Sequence, residues 1–143
     1  MKKTIILPFV FFAFFSLQLA AQKVSKKPFS RCNQIRVKVS EHQNDIETLS
    51  SIAEMLASKN FGIRESIPEI GYLQSTRKEE VEYYFKVTNG EVIIFGRTIY
   101  GENQNKYEIT FSTFLNLNRD FKLMDDFAHM LGNDIEYVRV EKY

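Results

Sequence analysis

The hydrophobic pattern changes period several times along the chain, and each change marks an element. An apolar run from Ile5 to Phe15, broken only by Pro8, follows Lys2 and Lys3. Residues 22–34 are polar and basic and read as a flexible leader. Ile35-Arg36-Val37-Lys38-Val39 alternates strictly, the mark of a half-buried strand. Asn44, with Glu47 three residues on, has the form of a capping box, and Asp45 adds charge that the helix dipole favours. Leu49, Ile52, Ala53 and Leu56 then form one helical stripe, which Lys59-Asn60 should end. Phe61 and Ile63 begin a return strand that Pro68 breaks, and 71–76 reads as another.

The next signal is the clearest. Residues 81–88 and 91–100 flank Asn89-Gly90, the preferred pair for a two-residue type I′ hairpin. That turn sets Thr88 opposite Glu91, Val87 opposite Val92, Phe85 opposite Ile94 and Tyr83 opposite Gly96, a set read as the core face. The other face pairs Lys86 with Ile93, Tyr84 with Phe95 and Glu82 with Arg97, and such pairs stabilise modestly. After a polar loop at 101–106, Tyr107, Ile109 and Phe111 alternate as a strand. A second helix, from about Asp120 to Leu131, presents Met124, Phe127, Ala128 and Leu131, and Gly132-Asn133 stops it. Residues 135–140 close the chain as a strand.

The order β-α-β-β-β-β-β-α-β, with short turns between consecutive strands, predicts a mostly antiparallel sheet. Two amphipathic helices predict one covered face, and so a two-layer α+β sandwich. Residues 35–143 then form a single domain.

The first segment has the layout of a secretion signal. Lys2 and Lys3 are its basic end, and the small residues Ala20 and Ala21 suit the peptidase, with cleavage favoured after Ala21. The apolar run is about half the ~20 residues a spanning helix needs. A signal peptide at 1–21 and an exported protein, periplasmic or secreted and with no transmembrane anchor after cleavage, are expected. Cleavage there leaves 17 basic and 18 acidic residues, a balance that argues against nucleic-acid binding. A single cysteine, Cys32, allows no internal disulfide and is expected as a partly exposed thiol.

The stretch 35–76 resembles a known type of domain. Its strand, its helix ending in Leu56-Ala57-Ser58-Lys59-Asn60-Phe61, its short strand and then Glu69-Ile70-Gly71-Tyr72-Leu73 are similar to the helix-grip domains of the BamC outer-membrane assembly lipoprotein and related small envelope domains. Asn60 stands where those domains commonly carry glycine, and the lipid-bearing cysteine is missing. The resemblance implies a helix-grip arrangement and a non-catalytic envelope role in contacting other proteins. It transfers no functional residue.

Candidate chemistry is sparse. Asp125 and His129 share a helix face but are too few for a zinc site, so a solvated face is expected. His42 falls in a loop beside Glu41. No Gly-x-Ser-x-Gly elbow or glycine-rich phosphate loop occurs. Glu79-Glu80-Val81-Glu82 reads as a charged strand edge. No catalytic residue, metal or cofactor is expected. The remaining feature is strand 91–100, apolar on both faces. If the helices cover one face, Tyr84, Ile93, Phe95 and Ile99 form a candidate interaction surface beside Lys86 and Arg97. The expectation is a non-enzymatic exported module that binds an envelope protein or peptide, or itself. The alternatives are a carrier of a small apolar ligand, lined by Tyr83, Phe85, Phe111, Met124 and Phe127, or a hydrolase with an unrecognised site.

The exported form should begin at Gln22. Intact-mass measurement of protein recovered from the envelope or medium checks this, and a mass retaining residues 1–21 contradicts it.

Overall fold

The computed structural model describes residues 22–40, 42–114 and 118–141. The expected signal peptide lies outside them. The elements are β1 (Gln22–Ser25), β2 (Gln34–Lys38), α1 (Asp45–Ser58), β3 (Ile63–Ile67), a single 3-10 turn (Pro68–Ile70), β4 (Tyr72–Ser75), β5 (Val81–Thr88), β6 (Glu91–Tyr100), β7 (Asn105–Glu108), α2 (Arg119–Leu131) and β8 (Asp134–Val140). All eight strands join one antiparallel sheet in the order β1-β8-β2-β6-β5-β4-β3, with β7 also on β6. The α+β architecture expected from the pattern is the architecture found. Among the described residues no helix is long and apolar enough to cross a membrane.

Local chemistry explains the elements. The Asn44 side chain accepts from the Glu47 N–H at 2.8 Å, and Glu47 returns a bond to the Asn44 N–H, completing the capping box. Asn60 takes the left-handed conformation just beyond α1, at φ 61°. Asn89 and Gly90 are both left-handed, so the β5–β6 register is the one their turn chemistry demands. Thr88 and Glu91 face away from the core, because each lies one residue from the core pair Val87 and Val92.

Both helices pack on one face of the sheet. α1 buries Leu49, Ile52, Met55 and Leu56, and α2 buries Phe121, Met124, Phe127 and Ala128. Phe127 meets Tyr83, Phe85 and Phe61 edge-on, with ring centroids 5.2, 5.9 and 6.1 Å away. Such pairs contribute about 0.5–1.5 kcal/mol each beyond burial. Tyr83, Phe85, Met124 and Phe127 are fully buried, so the residues expected to line an apolar pocket pack into the core. The Tyr83 hydroxyl donates to the Asp120 carbonyl at 3.0 Å, and the Tyr137 hydroxyl donates to the Asp125 carboxylate, tying α2 to β5 and β8.

Three expectations are corrected. The leader is not a free tail, because Gln22–Ser25 adds to the edge of β8. Lys26 holds it there, 2.7 Å from Asp134 and 3.3 Å from Glu136. Cys32 is fully buried, not partly exposed, since residues 31–33 bond to Phe111 and Val138 through their backbones. The strand expected around Tyr107–Phe111 instead runs from Asn105 to Glu108. Gly101 and Gln104, both left-handed, tighten the preceding turn and start the pairing early.

Gly71 marks a close approach. It is left-handed at φ 66°, and a Cβ there would lie 2.0 Å from the Val87 carbonyl oxygen. Gly101 shares the φ (76°), but a Cβ there would meet nothing within 4 Å. Gly101→Ala should therefore cost about 1–2 kcal/mol and Gly71→Ala on the order of 2–4 kcal/mol. Urea denaturation checks this, and equal costs would mean the β4–β5 approach is looser than described.

Candidate functional site

Side-chain alternation sends Glu82, Tyr84 and Lys86 of β5, and Ile93, Phe95, Arg97 and Ile99 of β6, to the face away from the helices. Arg36 of β2 joins them opposite Ile93, and Tyr72 of β4 lies opposite Lys86. Arg36, Tyr72, Ile93, Phe95 and Arg97 are all half-buried on this second face.

The four residues of the expected patch do not share one exposure. Ile93 and Phe95 are partly open, whereas Tyr84 is 6% and Ile99 only 2% exposed. The Tyr84 ring lies flat on Phe95, with centroids 4.9 Å apart and planes 6° from parallel. The Arg97 guanidinium also sits over the Tyr84 ring, 5.4 Å from its centroid. Ile99 lies where β7 flanks β6, directly opposite Lys106. The accessible apolar surface is therefore Ile93 with Phe95.

Tyr84 is drawn down by a residue that the sequence pattern placed at a solvated edge. Glu79 and Glu80 are indeed exposed in a turn, but the Glu82 side chain is only 2% exposed. Its carboxylate accepts from the Tyr84 hydroxyl at 2.7 Å and the Arg64 guanidinium at 3.0 Å. Gln74 and the Lys106 ammonium each lie 3.5 Å away. Arg64 is the extra residue of a bulge in β3, between the paired residues Ile63 and Glu65. A bulge re-aims a side chain, and here the chain reaches across β4 to β5. Lys106 reaches in from β7, across β6. Burial alone would raise the Glu82 pKa, but the Tyr84 bond and the Lys106 and Arg64 charges outweigh it and hold the carboxyl below its usual range. Burial, and then the bond to Glu82, push the Tyr84 phenol up to about 12.

The second face also has a fork. β6 pairs with β2 through Ile94 and with β7 from Arg97 onward, on the same edge. Asn33 plugs the gap, donating to Glu108 at 3.1 Å and to the Val140 carbonyl at 2.9 Å, while its own oxygen accepts the Val140 N–H at 2.9 Å. Above this plug is a depression of about 160 Å³ lined by Gln34, Phe95, Arg97 and Val140 among others. Small-molecule sites usually measure ~300–1,000 Å³, so this hollow suits a single side chain. The Arg36 Nε close by is buried with no hydrogen-bond partner among the described residues.

The remaining candidates are dispersed. His129 is exposed on α2 and among the described residues its polar contacts are with Asp125 alone, whose carboxylate already accepts from Tyr137; His42 is exposed in its loop. Burial raises the Cys32 thiol pKa, which disfavours the reactive thiolate. No known protein family, characterised protein or solved structure matches this chain.

Glu82→Gln should cost about 1–2 kcal/mol near neutral pH, because a neutral amide replaces the carboxylate that accepts from Tyr84, Arg64 and Lys106. The folded pKa lies below the unfolded value of about 4.3, so this stabilisation is complete above that value. It is lost as pH falls through the folded pKa. Wild type and variant should therefore converge in urea midpoint in strong acid, and a gap independent of pH would contradict the ionised assignment.

Proposed function

We propose that this protein is a non-enzymatic exported module that binds a protein or peptide on the second face of its sheet. The observation that carries this reading is the arrangement of Phe95. Its ring is fixed by stacking on Tyr84, is partly open, and lines a hollow sized for one side chain. Rigid aromatic anchors beside a pocket are the usual centre of a protein-binding surface.

The surroundings favour a partner that is apolar at its centre and acidic around it. Ile93 lies between Arg36 and Lys86 across the strands, and among the described residues neither cation forms an ion pair. An acidic group placed there would gain charge-assisted bonds to the Arg36 guanidinium and the Lys86 ammonium. The basic leader and the export signal are compatible with an envelope partner of this kind.

A photo-crosslinking residue at position 93 in the exported protein should yield a discrete adduct in cells, and one at the exposed but distant Met130 should not. Adding Phe95→Asp should abolish the adduct while far-UV circular dichroism stays unchanged. An adduct of twice the chain's mass identifies self-association. Equal labelling from both positions, or none from position 93, contradicts the reading.

A further inference from the structure

On the helix side of the molecule, at the other end of the core, a cleft of about 440 Å³ opens between the C-terminal end of α1, the 78–81 turn and the first turns of α2. We infer that this cleft is a binding site for a small amphipathic anion, an organic carboxylate with a flat apolar body. The inference does not rest on the proposed protein-binding face.

The cleft has the size of small-molecule sites, ~300–1,000 Å³. Its floor is apolar and rigid. Phe61 and Tyr83 meet edge-on at 5.5 Å and are both buried, with Val81 and Leu123 beside them. A flat apolar body would rest on Leu123 and on the small open part of Phe61 and Val81, with Tyr83 sealed beneath them.

The rim favours an anion. Arg119 is engaged, 3.5 Å from Glu79 and 3.3 Å from Asp120. Lys59, Lys78 and Lys122 also line the cleft, as does the exposed carboxylate of Asp126, so with Arg119 four cations face the three carboxylates of Glu79, Asp120 and Asp126. Among the described residues none of the three lysines has a carboxylate within ion-pair distance. Lys78 is positioned for the role. Its ammonium donates to the Lys59 carbonyl at 3.0 Å and lies 5.2 Å above the Phe61 ring. One bond holds it there, and its other N–H groups remain for a ligand.

Two backbone features converge on the same rim. Lys78 and Val81 exchange both backbone bonds, at 3.0 Å each, around Glu79 and Glu80. Both central residues are left-handed, at φ 47° and 65°, where the β5–β6 turn uses Asn-Gly. Two glutamates in those positions cost about 1–2 kcal/mol each. The turn nevertheless sets Lys78 over Phe61 and Glu79 beside Arg119, a placement of strain that fits a ligand-binding rim. In α2, the Asn118 side chain is committed to Ser112, with bonds of 2.7 and 2.6 Å, and does not cap the helix. Among the described residues no side chain accepts the first N–H groups of α2, and an anion in the cleft lies near the positive end of that helix.

The test is amide NMR titration of the protein with 1-naphthoate and with its neutral analogue 1-naphthalenemethanol. Naphthoate should give saturable shifts centred on Phe61, Lys78, Lys122 and Leu123. The alcohol should bind about tenfold more weakly or worse, as loss of a charge-assisted contact requires. Lys122→Gln, on an exposed helix surface, should weaken naphthoate about tenfold with an unchanged spectrum elsewhere, and Lys78→Gln should do the same. Ile93→Asp should leave it unaffected, which separates this site from the second face. Shifts that fail to saturate, shifts centred elsewhere, equal affinity for the alcohol, or indifference to Lys122→Gln would each overturn the inference.

Discussion

A carboxylate in the middle of a β-sheet must be solvated by something, and around Glu82 the solvent is protein. Tyr84, Arg64 and Lys106 converge on it from β5, β3 and β7. The geometry of the second face follows from that demand. Binding Glu82 pulls Tyr84 flat, Tyr84 gives Phe95 a surface to stack on, and Phe95 then borders the hollow at the fork. The charged ends of Arg64 and Lys106 remain partly in water, so the interaction is less costly than a sealed ion pair and less rigid than an apolar core.

The two faces of the sheet divide the work. On the helix side, Phe127 knits Tyr83, Phe85 and Phe61 into a packed aromatic cluster, and that cluster carries the fold. The second face is then free to be polar, half-exposed and specific. Edge strands are a hazard in any open sheet, and here the two terminal strands of the order, β1 and β3, are short and carry charge. β1 has four residues with Lys23 among them, and β3 carries Arg64 and Glu65 beside a bulge and stops at Pro68. Binding of the proposed partner to the second face would thus meet less competition from strand addition.

What was legible in the chain is what short-range chemistry decides. Asn89-Gly90 set the register of β5 and β6 because a type I′ turn admits one pairing, and the Asn44 capping box set the start of α1. What was not legible depends on strand order. Glu82 looked solvated beside Glu79 and Glu80, since its partners are 18 and 24 residues away and meet it only once β3 and β7 lie two strands to either side. The same gap explains the buried Tyr84 and Ile99 in a patch expected to be open. The leader was misjudged for a related reason. Its pairing with β8 joins residues more than a hundred apart, and one Val24 gives too short an alternation to read as a strand. A signal was nonetheless present in Glu82 itself, a lone acid between Val81 and the aromatic run Tyr83–Phe85, which needs a partner if the strand is central.

Binding on the second face requires Ile93 and Phe95 to be open while their neighbours in sequence are sealed. Solvent paramagnetic relaxation measured on side-chain signals of the isolated protein tests this most directly. Ile93 and Phe95 should relax strongly with a soluble paramagnetic agent, while Ile94, Phe85 and Tyr84, adjacent in chain or across the strand, should barely respond. Protection of Ile93 and Phe95 equal to that of Ile94 and Phe85 would mean the second face is covered, and the binding surface described here would not exist.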